Sequence, residues 1–142
     1  MSLRTYDGIT PSLGDNVFVD PAAVVIGDVT LAKDVSVWPC AVIRGDVNSI
    51  RIGEGSNIQD FAMLHVTHKR PADPEGAPLV IGRNVTIAHH VTLHGCTIGD
   101  ECLIGIGTIV MDRVVIEPRV LVGAGSLVPP GKRLESGFLY HG

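Results

Sequence analysis

The sequence is poor in aromatic side chains and has no long apolar run, and each deficit excludes a class of protein. Aromatic residues make up only 4% of the 142 positions, so the hydrophobic 45% must form an aliphatic core. The apolar runs are far shorter than a membrane span, and the first residues lack the basic-then-apolar pattern of a signal peptide. These absences predict a cytoplasmic protein without a membrane segment.

Net charge and cysteine content argue against two further kinds of protein, those that bind nucleic acid and those that rely on disulfides. The formal net charge is −4, and the lysines and arginines are scattered rather than gathered in a stripe, which argues against nucleic acid as a partner. The three cysteines, Cys40, Cys96 and Cys102, form no Cys-x-x-Cys pair, so we expect reduced thiols that serve as small core residues. A single domain over residues 1–142 is long enough to bury a core.

Aliphatic residues recur at every sixth position, and this repeat predicts the fold. The repeat positions, called leaders below, are Val19, Val25, Leu31, Val37, Ile43, Ile52, Ile58, Leu64, Ile81, Ile87, Leu93, Ile98, Ile104, Val110, Ile116, Val122, Val128 and Leu134. A period of six matches neither an α-helix nor a plain alternating strand. It is typical of the hexapeptide parallel β-helix, an all-β fold of triangular coils stacked about 4.8 Å apart.

Two segments interrupt the repeat between about residue 19 and residue 134. Residues 47–51 add three positions between the Ile43 and Ile52 units, and residues 66–78 form a polar, proline-rich loop. Insertions in repeat proteins map to loops on one face, often the functional face, and the second insertion follows directly on His65. A tolerated surface excursion explains the same residues, so both interpretations stay open.

Counting leaders assigns three faces to each coil. This assumes that both insertions bulge at the corner after the third face. The first face begins at Ile52, Ile81 and Ile98, the second at Ile58, Ile87 and Ile104, and the third at Ile43, Leu64, Leu93 and Val110.

This register predicts that polar side chains stack along two separate edges. Arg44, His65 and His94 each follow a third-face leader by one position. His65 and His94 therefore lie about one rung apart and can share a metal ion, for which imidazole is the commonest protein ligand.

The third histidine of the predicted site lies on the other edge. Asp60 and His89 each lie two positions after a second-face leader, and Gln59 is beside Asp60. The five-residue path from His89 to His94 spans up to about 17 Å, too far for both to reach one ion within about 2.1 Å. We therefore predict that the two edges come from different copies of the chain, in a cyclic trimer with three equivalent sites. Arg44 of one copy would then face Asp60 of the next.

The motifs at these positions resemble a known family over nearly the whole chain. Arg44-Gly45-Asp46, Asn57-Ile58-Gln59-Asp60, Leu64-His65, Ala88-His89 and Leu93-His94-Gly95 are similar to those of the gamma-class carbonic anhydrases and their bacterial homologues.

The resemblance implies a left-handed β-helix that forms a homotrimer. Its implied cofactor is Zn²⁺, with Fe²⁺ or Co²⁺ as alternatives, held at subunit interfaces by His65, His89 and His94. Gln59 would orient the bound hydroxide or bicarbonate. The supporting polar network would consist of Arg44, Asp46 and Asp60.

The implied reaction is the reversible hydration of carbon dioxide to bicarbonate by a metal-bound hydroxide. Archetypal members carry glutamates where this chain has Val47 and His68. His68 either carries protons to solvent, as its ordinary pKa near 6.5 allows, or is a solvated loop residue. Tyr140 is a weaker candidate to line the site. Related repeats end in a helix along the solenoid, for which this sequence has no pattern.

Three other interpretations are compatible with the sequence. Many hexapeptide proteins are acyltransferases acting on coenzyme A esters, and a thioesterase would use the same metal-bound hydroxide. A metal-binding homologue without significant turnover is the non-enzymatic alternative. Three histidines in ligand register favour the lyase.

Overall fold

The computed structural model describes residues 2–142, which contain nineteen strands and no helix. In chain order the strands are β1 (Leu3–Arg4), β2 (Ser12–Leu13), β3 (Phe18–Val19), β4 (Val24–Leu31), β5 (Ser36–Val37), β6 (Val42–Ile52), β7 (Asn57–Ile58), β8 (Met63–His65), β9 (Leu79–Ile81), β10 (Thr86–Ile87), β11 (Thr92–His94), β12 (Thr97–Ile98), β13 (Leu103–Ile104), β14 (Ile109–Val110), β15 (Val115–Ile116), β16 (Leu121–Val122), β17 (Leu127–Val128), β18 (Arg133–Leu134) and β19 (Leu139–Tyr140). Most are two or three residues long, as expected when each hexapeptide supplies one strand and one corner.

All strand pairs between these elements are parallel, and they form the walls of a triangular coil. Strands β3, β5, β7, β10, β13, β16 and β19 form a seven-stranded sheet, which is the second face. The other two faces belong to one twelve-stranded sheet, because β4 and β6 run across the corner between them. This arrangement confirms the predicted parallel β-helix of hexapeptide repeats.

The predicted register of all three faces is confirmed. On the second face Ile58 pairs with Ile87, which pairs with Ile104. The other two ladders are Ile52–Ile81–Ile98 on the first face and Ile43–Leu64–Leu93–Val110 on the third. Every one of these leaders is no more than 2% exposed. Burial of such a side chain contributes about 1.5–3 kcal/mol, so the aliphatic ladders are the main source of stability.

The corners require left-handed backbone, and their composition differs from one corner to another. At the corner between the first and second faces, seven successive coils place a residue with positive φ. These residues are Asn16, Asp34, Gly55, Asn84, Glu101, Arg119 and Gly137. All of them are polar or glycine, which suits an exposed corner where L-residues are strained.

The first insertion is placed slightly differently from the prediction. Ile50 and Arg51 pair regularly with Val29 and Thr30, so they are not part of it. The extra residues form a bulge at positions 46–49, opposite Asp28, after the third face. The reason is that a bulge leaves only the residues between two intact ladder pairs unpaired.

The solenoid also extends beyond the predicted repeats. Leu3 pairs with Val25 and Leu13 with Leu31, which adds strands before Val19. Leu13 lies six positions before Val19 and continues the period, so the prediction began one repeat too late, whereas a turn held by reciprocal Tyr6–Ile9 hydrogen bonds removes Leu3 from the period. At the other end β19 pairs with β16 beyond Leu134.

All three cysteines are free thiols, and two of them are core residues as predicted. Cys96 and Cys102 are buried, whereas Cys40 is exposed at a corner. Burial raises the pKa of the Cys96 thiol to about 12, so it stays protonated and unreactive at neutral pH. No helix in residues 2–142 is long and apolar enough to cross a membrane.

Candidate metal centre

Two of the predicted ligands face each other on adjacent rungs of the third face. His65 and His94 pair in register on β8 and β11, which places both side chains on the outer surface of that face. Nδ1 of His65 lies 3.1 Å from Nε2 of His94. Two nitrogens at 2.0–2.1 Å from a tetrahedral zinc ion would be about 3.3 Å apart, so this pair has the spacing of two metal ligands.

Asp46 is hydrogen-bonded to Nε2 of His65, the ring nitrogen that does not face His94. Its Oδ1 lies 2.8 Å from Nε2 of His65, and its Oδ2 accepts a hydrogen bond from Arg44. Burial raises the pKa of Asp46, but the hydrogen bonds from His65 and Arg44 outweigh that effect, and the pKa lies below its ordinary value. The first insertion therefore supplies an ionised carboxylate that orients the ring of His65, a predicted ligand.

Asp112 forms the equivalent hydrogen bond with His94, and the sequence had not led us to predict this residue. Oδ1 of Asp112 is hydrogen-bonded to Nδ1 of His94, and the Thr67 hydroxyl donates to Oδ2 at 2.6 Å. Burial again raises the pKa of Asp112, and the hydrogen bonds from Thr67 and His94 bring it below its ordinary value. A signal was present in the register: pairing of Leu93 with Val110 puts Asp112 one position past the rung of His94.

These contacts show that the histidine pair fits a cation. Both carboxylates are ionised and can only accept, so the ring hydrogens are on Nε2 of His65 and Nδ1 of His94. When both rings are neutral, the two remaining nitrogens, Nδ1 of His65 and Nε2 of His94, face each other with their lone pairs at 3.1 Å. A cation between them removes that repulsion. Ligating histidines whose second nitrogen is held by a carboxylate are typical of protein metal sites.

The third predicted ligand lies on a different corner, where it also has a carboxylate beside it. Oδ2 of Asp60 lies 3.2 Å from Nδ1 of His89, and the His90 amide donates to the Asp60 carbonyl on the neighbouring rung. The His89 ring is about half exposed. We name this pair, with Gln59, the second half-site, and the group of His65, His94, Asp46, Arg44 and Asp112 the first half-site.

Gln59 is oriented by a chain of amide and hydroxyl contacts. Its Nε2 donates to Oδ1 of Asn57 at 3.1 Å, and Nδ2 of Asn57 donates to the Thr86 hydroxyl at 3.0 Å. Because its amide nitrogen is engaged in this way, the carbonyl oxygen of Gln59 is left to accept a hydrogen bond at the second half-site.

The two half-sites do not meet within one chain. Among residues 2–142 no three His, Cys, Asp or Glu side chains lie close enough together to hold a metal ion. The structure thus places His65 and His94 on one edge and His89 on another, as the repeat register predicted. The ligand roles of these histidines stay predictions.

The second insertion is an ordered loop whose base contacts the first half-site. Thr67 and Ala77 exchange backbone hydrogen bonds of 2.9 and 3.0 Å across the loop. Asn48, in the first insertion, donates to the carbonyls of Thr67 at 3.0 Å and Glu75 at 2.8 Å. The two insertions are therefore tied together, and Thr67 connects them to Asp112.

The remaining candidates from the sequence are His68 and Tyr140. His68 and Val47 are exposed on the two insertions, and a role for His68 in proton transfer stays a prediction. Tyr140 lies on the second face three rungs from Ile87, about 14 Å along the stack. Its hydroxyl accepts from the Glu135 amide at 2.8 Å, so the structure does not bring Tyr140 to either half-site.

A family model matches the regular parts of the chain. The family described as "Bacterial transferase hexapeptide (six repeats)" matches residues 10–45 and 95–130. The unmatched residues between these segments contain both insertions and all three predicted ligands.

Known relatives cover nearly the whole chain. Protein YrdA of Escherichia coli strain K12 is 56% identical over 140 residues, which are 99% of this chain and 76% of YrdA. The mitochondrial gamma carbonic anhydrase 2 of Arabidopsis thaliana is 44% identical over 133 residues, 94% of this chain but only 48% of the plant protein. The crystal structure of a hexapeptide transferase family protein from Anaplasma phagocytophilum matches with a TM-score of 0.90 and 42% identity, covering 99% of this chain and 78% of that one.

Proposed function

This chain belongs to the bacterial transferase hexapeptide family and has gamma carbonic anhydrases among its relatives, and we propose that it is a metal-dependent lyase that reversibly hydrates carbon dioxide. The observation that carries the proposal is the pair of facing nitrogens on His65 and His94. Each ring is held by an ionised carboxylate, and their separation of 3.1 Å suits two ligands of one ion.

The proposed metal is zinc, held by His65 and His94 of one copy and His89 of the next. Bound by three neutral imidazoles, zinc supplies Lewis-acid activation of water near neutral pH. The role of Asp46 and Asp112 is to keep the ring hydrogens on the outer nitrogens, so that the inner nitrogens stay available.

The second half-site contributes positioning as well as a ligand. The free carbonyl oxygen of Gln59 accepts a hydrogen bond from the reacting water, since its amide nitrogen is already bound to Asn57. Arg44, held by Asp46, places a positive charge beside the site where the bicarbonate anion forms.

Several surface features support a trimer as the active form. Arg44 and Asp60 are both partly exposed and carry opposite charges on the two edges that must meet. Large apolar side chains are exposed on the third face, on the two coils that follow the coil of His94. They belong to Ile109, Met111 and Leu127. Another copy covering this face would bury them, and cyclic closure then makes three equivalent sites.

The test is stopped-flow hydration of carbon dioxide by protein purified under reducing conditions and loaded with Zn²⁺ or Co²⁺. We expect a rate above that of buffer, lost in His94→Ala and retained in His141→Ala, a matched histidine change at the far end of the chain. Metal content is measured on the same samples. Full metal occupancy without a rate above buffer would contradict the lyase proposal.

Acyl transfer or thioester hydrolysis on a coenzyme A ester is the second candidate function. An apolar groove of about 420 Å³ runs along the second face from His89 past Leu103 and Leu121, and it could hold an acyl or pantetheine chain. The solved relative named as a hexapeptide transferase points the same way. Transfer of the acetyl group from acetyl coenzyme A to an amine or hydroxyl acceptor by metal-free protein would favour acyl transfer, and hydrolysis of acetyl coenzyme A by the zinc-loaded protein alone would favour the thioesterase.

A further inference from the structure

Trp38 lies next to Gln59 on the outer surface of the second face. Val37 pairs with Ile58, and the Trp38 amide donates to the Ile58 carbonyl at 2.9 Å. Trp38 and Gln59 therefore follow their leaders by one position on neighbouring rungs, and together they line a cavity of about 390 Å³. Its other lining residues are Ser36, Asn57, Asp60 and His89. The second half-site thus opens into a cavity that has an indole ring on one side.

The indole ring of Trp38 is fixed by two contacts. Its Nε1 donates to the Ser36 hydroxyl at 3.1 Å, and the ring packs against Phe18 with centroids 5.3 Å apart. Trp38 is nevertheless 43% exposed. Because the only hydrogen-bond donor of the ring is already bound to Ser36, the surface that the ring presents to the cavity is apolar.

The other side chains that line this cavity are all polar. Gln59 donates to Asn57 at 3.1 Å, and Asp60 lies 3.2 Å from His89. Among residues 2–142, Trp38 is therefore the one apolar side chain of the lining. Water is held weakly at an indole surface compared with these polar groups, and an apolar molecule gains affinity when it displaces such water.

We propose that Trp38 forms the apolar wall against which carbon dioxide is bound beside the reacting water. The inference rests on the proposed function, in which the Gln59 carbonyl oxygen accepts a hydrogen bond from that water. Carbon dioxide has no charge and no dipole moment, so dispersion contact with an aromatic ring suits it better than hydrogen-bonding groups do. Binding on the rung next to Gln59 holds its carbon near the oxygen that attacks it.

Trp38→Ala separates substrate binding from the chemical step. Loss of a contact that is equally strong in the bound substrate and the transition state raises KM and leaves kcat unchanged. We expect kcat/KM for hydration to fall at least about threefold through KM, with zinc content and oligomeric state unchanged. Trp38→Phe keeps an apolar ring and should restore most of the loss. Phe138→Ala is the matched control, because Phe138 is also exposed and packs against an aromatic ring, that of Tyr140, at the far end of the same sheet.

A second measurement uses intrinsic fluorescence, because Trp38 is the only tryptophan of the chain. Bicarbonate, the product, replaces chloride at constant pH and ionic strength in a titration of the zinc-loaded wild type. We expect a saturable change in emission that is absent from His94→Ala, which lacks the zinc. This titration tests the inference even if Trp38→Ala fails to fold, since it needs no substitution of Trp38.

Zinc content is measured by elemental analysis, oligomeric state by sedimentation velocity and folding by circular dichroism. A wild type that hydrates carbon dioxide, with kcat/KM retained in Trp38→Ala and no saturable change in emission, overturns the inference alone. Loss of zinc from Trp38→Ala but not from Phe138→Ala shows a structural role for Trp38 and also overturns it. A wild type with full zinc and no hydration overturns the proposed function as well.

Discussion

The coils of residues 98–134 and those of residues 43–96 share one aliphatic core but differ in what their surfaces carry. In residues 98–134 every leader follows the previous one by six positions, each strand has two residues, and there is no histidine. Residues 43–96 contain both insertions and five histidines, among them all three predicted ligands. The regular repeats therefore supply the buried core, and the region that contains the insertions carries the predicted metal ligands.

The difference lies at the corners and on the outer surface rather than in the core. Asp46 begins the bulge and Thr67 begins the loop, while Leu64 and Leu93 keep their ladder on either side. Because parallel ladders continue past an insertion that bulges outward, polar groups can be added without disturbing the buried leaders. Asp112 is the one member of the first half-site that comes from the regular region.

The largest expected effect comes from the core of the regular region. Ile116→Ala should cost about 2–5 kcal/mol of unfolding free energy, because it leaves a cavity at a fully buried ladder position. Val115→Ala, its half-exposed neighbour, should cost at most about 1 kcal/mol. Urea denaturation measures both, and zinc per chain should be unchanged in each. Equal losses for the pair would refute the idea that the inward ladder carries the stability.

Asp112→Asn should lower the zinc affinity without lowering the stability of the β-helix. Loss of the charge that fixes the His94 ring should reduce zinc affinity about 10- to 100-fold, as for other carboxylates that orient ligands. Competition with a chelator gives the affinity. Asp100→Asn removes a carboxylate of the regular region and should leave zinc affinity unchanged; a loss there would show that the two regions are not independent.

Thr67→Val should have a smaller effect, because the hydroxyl acts on His94 only through Asp112. We expect a decrease of about tenfold in zinc affinity and a changed absorption spectrum of the Co²⁺ form, which reports ligand geometry. Thr67→Ser keeps the donor and should restore both. A Thr67→Val variant with the wild-type spectrum would mean that Thr67 does not influence the geometry of His94 through Asp112.

The smallest effect is the loss of stability at low pH from Asp100. The Arg83 amide, and then its guanidinium, hold the pKa of this exposed carboxyl below its ordinary value. The stabilisation is therefore complete above the unfolded pKa and is lost as the pH falls through the lower folded pKa. Thermal unfolding of Asp100→Asn should start slightly below that of wild type at pH 7, and the two should converge as the pH falls below the folded pKa of Asp100. A difference that grows in acid would have the wrong sign.

The fold was predictable because the six-residue period repeats locally and requires only a count. His65, His94 and His89 could be assigned to their edges for the same reason. Asp112 was missed although the register puts it one position past the rung of His94, whereas Thr67 could not be assigned because it lies in an insertion without a repeat, 45 residues from Asp112. Leu13 lies six positions before Val19 and extends the period, so its strand was predictable, whereas Leu3 lies ten positions before Leu13 and falls outside the period.

The most direct test of a site shared between chains is complementation between two inactive variants. His89→Ala keeps only the first half-site and His94→Ala keeps only the second. Each alone should bind no zinc at this site, whereas chains refolded together in equal amounts should regain about one quarter of the wild-type sites, the fraction of contacts that pair two intact halves. No recovery in the mixed assemblies, or full zinc in either variant alone, would contradict the account.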